Sequence, residues 1–221
     1  MGFKSDIRRV GRLKFPEFAG TRVMMMPVRL DDPETVPMTA WREPFADLVA
    51  MAPAKEGVGY LTIDQAHVKR GETHRRPGLH VDGIGPDGKA GGWGGGGGGW
   101  GSNGMLVASD VVGCVGWAQE FDGYTCPNGD CGHLKRQLRA DCSMMFWGGE
   151  VFWCGPLAVH RSLRMTVATR RTFVRLSMPN DCPWYEGYTR NPLGVEPTGP
   201  IHPARSGFMA YRSTELAKEK P

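Results

Sequence analysis

The sequence predicts a mainly β single domain, a sandwich or barrel with one supporting helix near its N-terminus. Three observations predict it: short apolar runs rich in β-branched and aromatic residues, Gly- and Pro-rich turns between them, and a single helical period in the first quarter of the chain. A chain of 221 residues is long enough to bury one sizeable core, and all-β architectures often use this length as one unit, so residues 1–221 are read as one domain.

The elements follow in order. Residues 1–20 are charged and irregular, and Pro16 and Gly20 close them. Residues 21–30 (TRVMMMPVRL) form a strand in which Pro27, lacking an N–H, marks a sheet edge; Asp31-Asp32-Pro33 is a turn. Between residues 38 and 51, Trp41, Phe45, Leu48 and Val49 recur at i, i+4, i+7 and i+8, one apolar stripe on a helix that Pro53 ends. Strands are expected over 58–63, 79–82, 105–121 with a break near Gly113, 144–153 and 171–178, and a short surface helix over 133–142. Residues 180–221, rich in Pro, Gly and aromatics, read as an extended wrap. It covers a sheet edge or completes a pocket through Trp184, Tyr185 and Tyr188.

The tract 85–104 (GPDGKAGGWGGGGGGWGSNG) stands apart. Glycine loses more backbone entropy on ordering than any other residue, so the run reads as a flexible loop. Trp93 and Trp100 suit a second reading, a lid whose glycines hinge and whose indoles close over a substrate.

Composition narrows the function classes. The formal net charge of +4 suits an anionic substrate or cofactor but falls short of the basic stripe of a dedicated nucleic-acid binder. No run reaches the roughly 18 apolar residues of a membrane span, and the N-terminus has neither a secretory signal nor a myristoylation pattern. A cytoplasmic protein is the expectation, with the six cysteines as thiols.

Chemistry concentrates in two segments. In Pro77-Gly78-Leu79-His80-Val81-Asp82-Gly83, strand alternation turns His80 and Asp82 to one face and Leu79 and Val81 to the other. Some eighty residues later the segment 148–178 carries a Gly-Glu turn, an apolar strand, a Gly-Pro turn and His160. A strand follows with Arg171, Phe173, Arg175 and Ser177 on one face. Two imidazoles and one carboxylate make the facial triad that leaves coordination positions open for a bidentate co-substrate and oxygen.

The order His80-x-Asp82, distant His160, then Arg175-x-Ser177 resembles the iron(II)/2-oxoglutarate-dependent dioxygenases. The likeness spans roughly residues 55–180. It implies a double-stranded β-helix (jelly-roll) barrel, Fe(II) on His80, Asp82 and His160, and 2-oxoglutarate as co-substrate. It also implies that Arg175 pairs with the distal carboxylate of that co-substrate while Ser177 donates to it. A guanidinium offers a planar fork that matches a carboxylate. Arg171 shares the face of Arg175, so either can be the partner; the offset of Ser177 favours Arg175. The substrate expected is a polar or anionic small molecule. His74 and Arg76, on the parity of His80, are candidates for its binding, as are Trp93 and Trp100.

Other readings stand beside this one. An oxygenase acting on modified bases would use the same triad. A non-catalytic β-barrel binding protein would keep the scaffold alone. Cys126, Cys131, His133 and Cys142 fall within a short stretch and offer ligands for a structural zinc, though C-x4-C-x-H is an irregular spacing.

Overall fold

The computed structural model describes residues 2–82, 103–126 and 129–203. Among them, in chain order, are strands β1 (Gly2–Lys4), β2 (Ile7–Arg12) and β3 (Arg22–Arg29), helix α1 (Arg42–Met51), and strands β4 (Val58–Val68), β5 (Met105–Ser109), β6 (Cys114–Trp117) and β7 (Glu120–Asp122). Then come β8 (Ser143–Met145), β9 (Glu150–Cys154), β10 (Val159–Ser162), β11 (Thr169–Ser177), β12 (Trp184–Tyr185) and β13 (Ile201–His202). The chain is mainly β, with antiparallel sheets as its frame.

The larger sheet has the order β2-β9-β5-β11-β4-β3. Strand β11 lies inside it, in register with β4 from Thr169↔Val68 to Ser177↔Tyr60 and with β5 from Phe173↔Ser109 to Ser177↔Met105. Alternation gives the sheet two faces. Leu61, Ile63, Leu106, Ala108, Val151, Trp153, Val174 and Leu176 pack on the outer face with Trp41, Phe45, Leu48 and Val49, the stripe on and just before α1. The period-3.6 pattern thus buttresses the sheet. On the opposite face Met105, Val107, Phe152, Cys154 and Phe173 pack with Ile7, Cys114 and Phe146, and the Phe146 and Phe152 rings stack 4.2 Å apart.

A smaller sheet has the order β10-β6-β8, and Cys114 of β6 reaches that inner cluster. Residues 79–82 extend it without forming a regular strand: His80 makes one antiparallel bridge to His160 on β10 and another to Asp130 on the far side. The segment is held by His80 N–H to the His160 carbonyl (2.9 Å), the reciprocal bond (3.0 Å), Val81 N–H to the Gly129 carbonyl (2.8 Å) and Cys131 N–H to the Leu79 carbonyl (2.9 Å). Leu79 and Val81 turn away from His80 into an apolar cluster with Val115, Trp117, Phe121 and Val159.

Strand β3, which carries Pro27, is the edge of the larger sheet, with a bulge between Val23 and Met26. Residues 184–191 cover it. Trp184 Nε1 donates to the Met25 carbonyl (3.0 Å), Thr189 N–H to the Met24 carbonyl (3.0 Å) and Asn191 Nδ2 to the Pro27 carbonyl (2.8 Å), which removes an exposed ladder edge. Residues 204–221 of the expected wrap lie outside the described residues.

Three expectations need correction. The stretch 1–20 is not irregular: β2 pairs with β9 at the opposite edge of the sheet, and its sequence IRRVGR hid this because an edge strand keeps charged side chains in water. The segment 133–142 forms two short 3-10 turns rather than an α-helix; it buries only Leu134 firmly, too little apolar surface to hold a longer helix. The break expected near Gly113 separates β5 from β6, but that run divides once more before β7, and the strand expected over 144–153 divides into β8 and β9.

Candidate metal centre

The bridge between residues 79–82 and β10 sets His80 and His160 side by side, with ring centroids 4.3 Å apart. Asp82 completes the group. Its Oδ1 lies 3.8 Å from His80 Nε2 and its Oδ2 lies 3.8 Å from His160 Nε2. One potential ligand atom from each residue falls within 4.8 Å of the others. Both imidazoles are oriented by the same device: Nδ1 of His80 faces the Gly78 carbonyl and Nδ1 of His160 the Ala158 carbonyl, each at 2.9 Å. Those bonds place the ring proton on Nδ1 and leave both Nε2 lone pairs aimed at the carboxylate, the tautomer that binds a metal.

Electrostatics favour the same state. Burial, joined by the charge of His160, lowers the His80 pKa to about 3 against the opposing pull of Asp82, so His80 is neutral at physiological pH. Burial alone pushes Asp82 up, but His160, Arg175, His80 and Arg75 outweigh it and hold the carboxyl well below the usual carboxylate range. His80 therefore offers a neutral nitrogen donor and Asp82 an anionic oxygen donor.

The two arginines of β11 have different surroundings. Arg175 Nη1 reaches Asp82 Oδ2 at 3.3 Å, and its Nη2 donates to the Met25 sulfur at 3.1 Å; its buried Nε has no partner among the described residues. Met25 gets there from the β3 bulge, in a left-handed backbone conformation (φ 50°) that costs a side-chain-bearing residue energy. Arg171 is only 1% exposed. Its Nε donates to Ser109 Oγ at 2.9 Å, its buried Nη1 has no partner, and no carboxylate among the described residues lies within ion-pair distance of it. A Cβ added at Gly113 would run into this guanidinium. Beside it, burial raises the Cys114 pKa to about 12, so that neighbour is a neutral thiol and no counter-ion.

Arg175 is engaged with Asp82, while Ser177 Oγ is buried with no partner among the described residues. The parity argument left the two arginines equivalent; what separates them is where Asp82 lands, and no spacing rule encodes that.

Of the two residues that parity placed beside His80, His74 turns to Asp64, while the charge of Arg76 still reaches His80. Residues 70–78 are turns, so strand alternation does not apply to them. His74 is buried with Nε2 3.3 Å from Asp64 Oδ2, and Arg76 lies 4.0 Å from Asp130. Arg75, which the sequence reading passed over, takes the inward position: Nη1 sits 2.9 Å from Asp64 Oδ2 and the guanidinium lies over the Phe173 ring. Asp64 lies opposite Phe173 on β4 and also meets Arg22 at 3.0 Å. Burial raises its pKa, but His74, Arg75 and Arg22 prevail and hold it below the usual range. Ser109 and Met25 were likewise missed; the inward parity of β5 would have found Ser109, whereas nothing in the sequence marks Met25. Trp93 and Trp100 lie outside the described residues.

The four-ligand zinc set is not assembled. Cys131 is fully buried, its sulfur 3.5 Å from the Gly129 carbonyl oxygen, and burial raises its pKa to about 12. Cys142 sits on a separate turn that bonds Ala118. Cys126 and His133 do meet, and Asp130 joins them. All six cysteines are free.

Among the described residues no helix is long and apolar enough to cross a membrane. No family model, no curated protein and no solved structure matches the chain. Function must be argued from the centre itself.

Proposed function

We propose that the chain is a mononuclear non-haem iron(II) oxygenase that uses 2-oxoglutarate, with His80, Asp82 and His160 as the ligands. One observation carries the reading: two imidazoles whose Nδ1 atoms are spent on backbone carbonyls turn both Nε2 atoms toward one partly buried carboxylate. Two imidazoles and a carboxylate with open positions are the donor set for ferrous oxygenase chemistry. Ferrous iron held by these three residues would supply the reduction of dioxygen that couples oxidative decarboxylation of 2-oxoglutarate, to succinate and carbon dioxide, to oxidation of a substrate C–H bond.

The residues divide the remaining work. Arg171 is assigned to the distal carboxylate of the co-substrate. It is a buried cation without a carboxylate partner among the described residues, and such a group is stabilised when an anion arrives to pair with it. Ser109 fixes its orientation through Nε. Arg175 is assigned a positioning role, holding Asp82 ionised and turned toward the imidazoles. Arg75, reaching the Phe173 face with its side chain one-fifth exposed, supports a polar or anionic small molecule as substrate.

The accompanying fold reading is a double-stranded β-helix. Its support is the alternation of the chain between the sheets: β4 in the larger, residues 79–82 against the smaller, β5 in the larger, β6 and β8 in the smaller, β9 in the larger, β10 in the smaller, β11 in the larger. Such alternation builds a jelly roll, which places a centre between its sheets.

Incubation with ferrous iron, ascorbate and 2-oxoglutarate tests the reading. Succinate is expected to form from the wild type, even without added substrate at a slow uncoupled rate, and not from His160→Ala. No succinate under any condition, together with no retention of ferrous iron, would overturn it.

A further inference from the structure

A second group of ligating side chains lies across the His80 segment from the first. Cys126, Asp130 and His133 offer a sulfur, a carboxylate oxygen and a ring nitrogen that all fall within 4.8 Å of one another. His133 Nε2 faces the Tyr124 carbonyl at 2.9 Å, which places the ring proton there and leaves the Nδ1 lone pair turned to Cys126 Sγ, 3.5 Å away. The orienting carbonyl and the free nitrogen repeat, with the ring reversed, the arrangement of His80 and His160. Zinc bonds of about 2.3 Å to sulfur and 2.0–2.1 Å to nitrogen at a tetrahedral angle put the two ligand atoms about 3.5 Å apart. Asp130 Oδ1 is taken by the Gly132 N–H at 2.9 Å, and among the described residues Oδ2 has only the distant Arg76 at 4.0 Å.

We propose that Cys126, Asp130 and His133 hold a structural zinc ion, with water as its fourth ligand, that braces the turn supporting the His80 segment. Thiolate, imidazole and carboxylate together suit zinc better than the oxygen-seeking divalent cations. The turn is already closed by Cys126 N–H to the Asp130 carbonyl (2.9 Å) and Gly129 N–H to the Cys126 carbonyl (3.0 Å). Gly129 has a positive φ of 72°, and a Cβ there would strike the Val81 carbonyl oxygen, so the turn seats directly on the segment that carries His80 and Asp82. From the same turn Gly129 and Cys131 bond Val81 and Leu79. Zinc would tie the two ends of this turn together and so fix the outer side of the short segment whose inner side meets β10. This assignment does not depend on iron at the first centre.

Full-length protein purified without added metal tests it by metal analysis and cobalt substitution. About one zinc per chain is expected in the wild type and in His160→Ala, and a loss of tenfold or more in Cys126→Ser and in His133→Gln. Cobalt in the wild type and in His160→Ala is expected to give a thiolate-to-metal charge-transfer band that Cys126→Ser lacks; the first centre, having no sulfur ligand, cannot produce that band. Zinc that disappears with His160→Ala but survives Cys126→Ser would overturn the assignment. So would a wild type with neither zinc nor the cobalt band, since a thiol–imidazole hydrogen bond alone then accounts for the 3.5 Å contact. Removing zinc with a chelator should also speed amide exchange at Val81 and Cys131 at least tenfold, and unchanged exchange would overturn the bracing role.

Discussion

The two ligand clusters flank one short segment, residues 79–82, and are built by opposite means. In the first group His80 is buried and Asp82 and His160 are partly so, and the two histidines are locked to each other through backbone bonds between the segment and β10. The Cys126–Asp130–His133 group stands on a turn with Asp130 and His133 exposed, its geometry set by local bonds. A centre that must keep positions open for reacting molecules gains from a rigid wall of strands, because the fold alone then holds the ligands apart and aimed. A centre whose task is to close a turn can be assembled by its own ion.

The largest expected effect is at His160. Its replacement by Ala removes one of three ligands to the first centre only, so turnover should fall on the order of 10³-fold or more while the cysteine cluster keeps its metal. Equal loss from both centres would show that they are not independent. Next comes the division of labour on β11. Arg171→Gln should raise the KM for 2-oxoglutarate about 100-fold with iron affinity little changed, since truncating one partner of a buried charged pair costs ~2–5 kcal/mol. Arg175→Gln should do the reverse and weaken iron ~10–100-fold through Asp82. Steady-state kinetics and ferrous titration separate the two, and an exchange of these phenotypes would return the anchor to Arg175.

Protonation offers a third test. Burial lowers His80 in the folded state to about 3, from an ordinary 6.5. The unfolded chain therefore binds the proton first, and the metal-free protein should lose stability as pH falls below 6.5, continuing toward 3, by up to ~1.4 kcal/mol per pH unit. Urea unfolding of metal-free wild type against His80→Gln measures it; the difference should become independent of pH above neutrality, and a flat profile in both would contradict the buried neutral imidazole. The smallest effect is expected at Cys126, where Ser should change turnover of the iron-loaded enzyme by no more than ~2-fold, because the strand side of residues 79–82 is intact without the turn's ion.

Much of this was legible in the sequence where a local rule governs. The alternation that turns His80 and Asp82 away from Leu79 and Val81 holds although the segment makes only bridges, because extended backbone alternates whether or not it joins a ladder. Pro27 marked an edge because it lacks a donor, and the stripe from Trp41 to Val49 buried itself on a sheet. The failures came where the outcome depends on distant chain. Parity made Arg171 and Arg175 alike, whereas in the fold Asp82 pairs with Arg175. Parity also misplaced His74, because it was carried past Pro77 into turns, and Arg75 lies over the Phe173 ring. Charged residues in β2 masked an edge strand, and a count of cysteines mixed the buried thiol of Cys131 with Cys126 and His133, which lie nearer the surface beside it.

The central claim is that the three side chains at β10 and the neighbouring segment hold ferrous iron with a 2-oxo acid chelated on it. Anaerobic titration of the metal-free protein with ferrous iron and 2-oxoglutarate, followed by visible absorption, tests this most directly. A metal-to-ligand charge-transfer band is predicted to saturate at one iron per chain in the wild type, to need about 100-fold more 2-oxoglutarate in Arg171→Gln, and to be absent in His160→Ala. A wild type that binds ferrous iron without developing the band, or that binds none, would contradict the account.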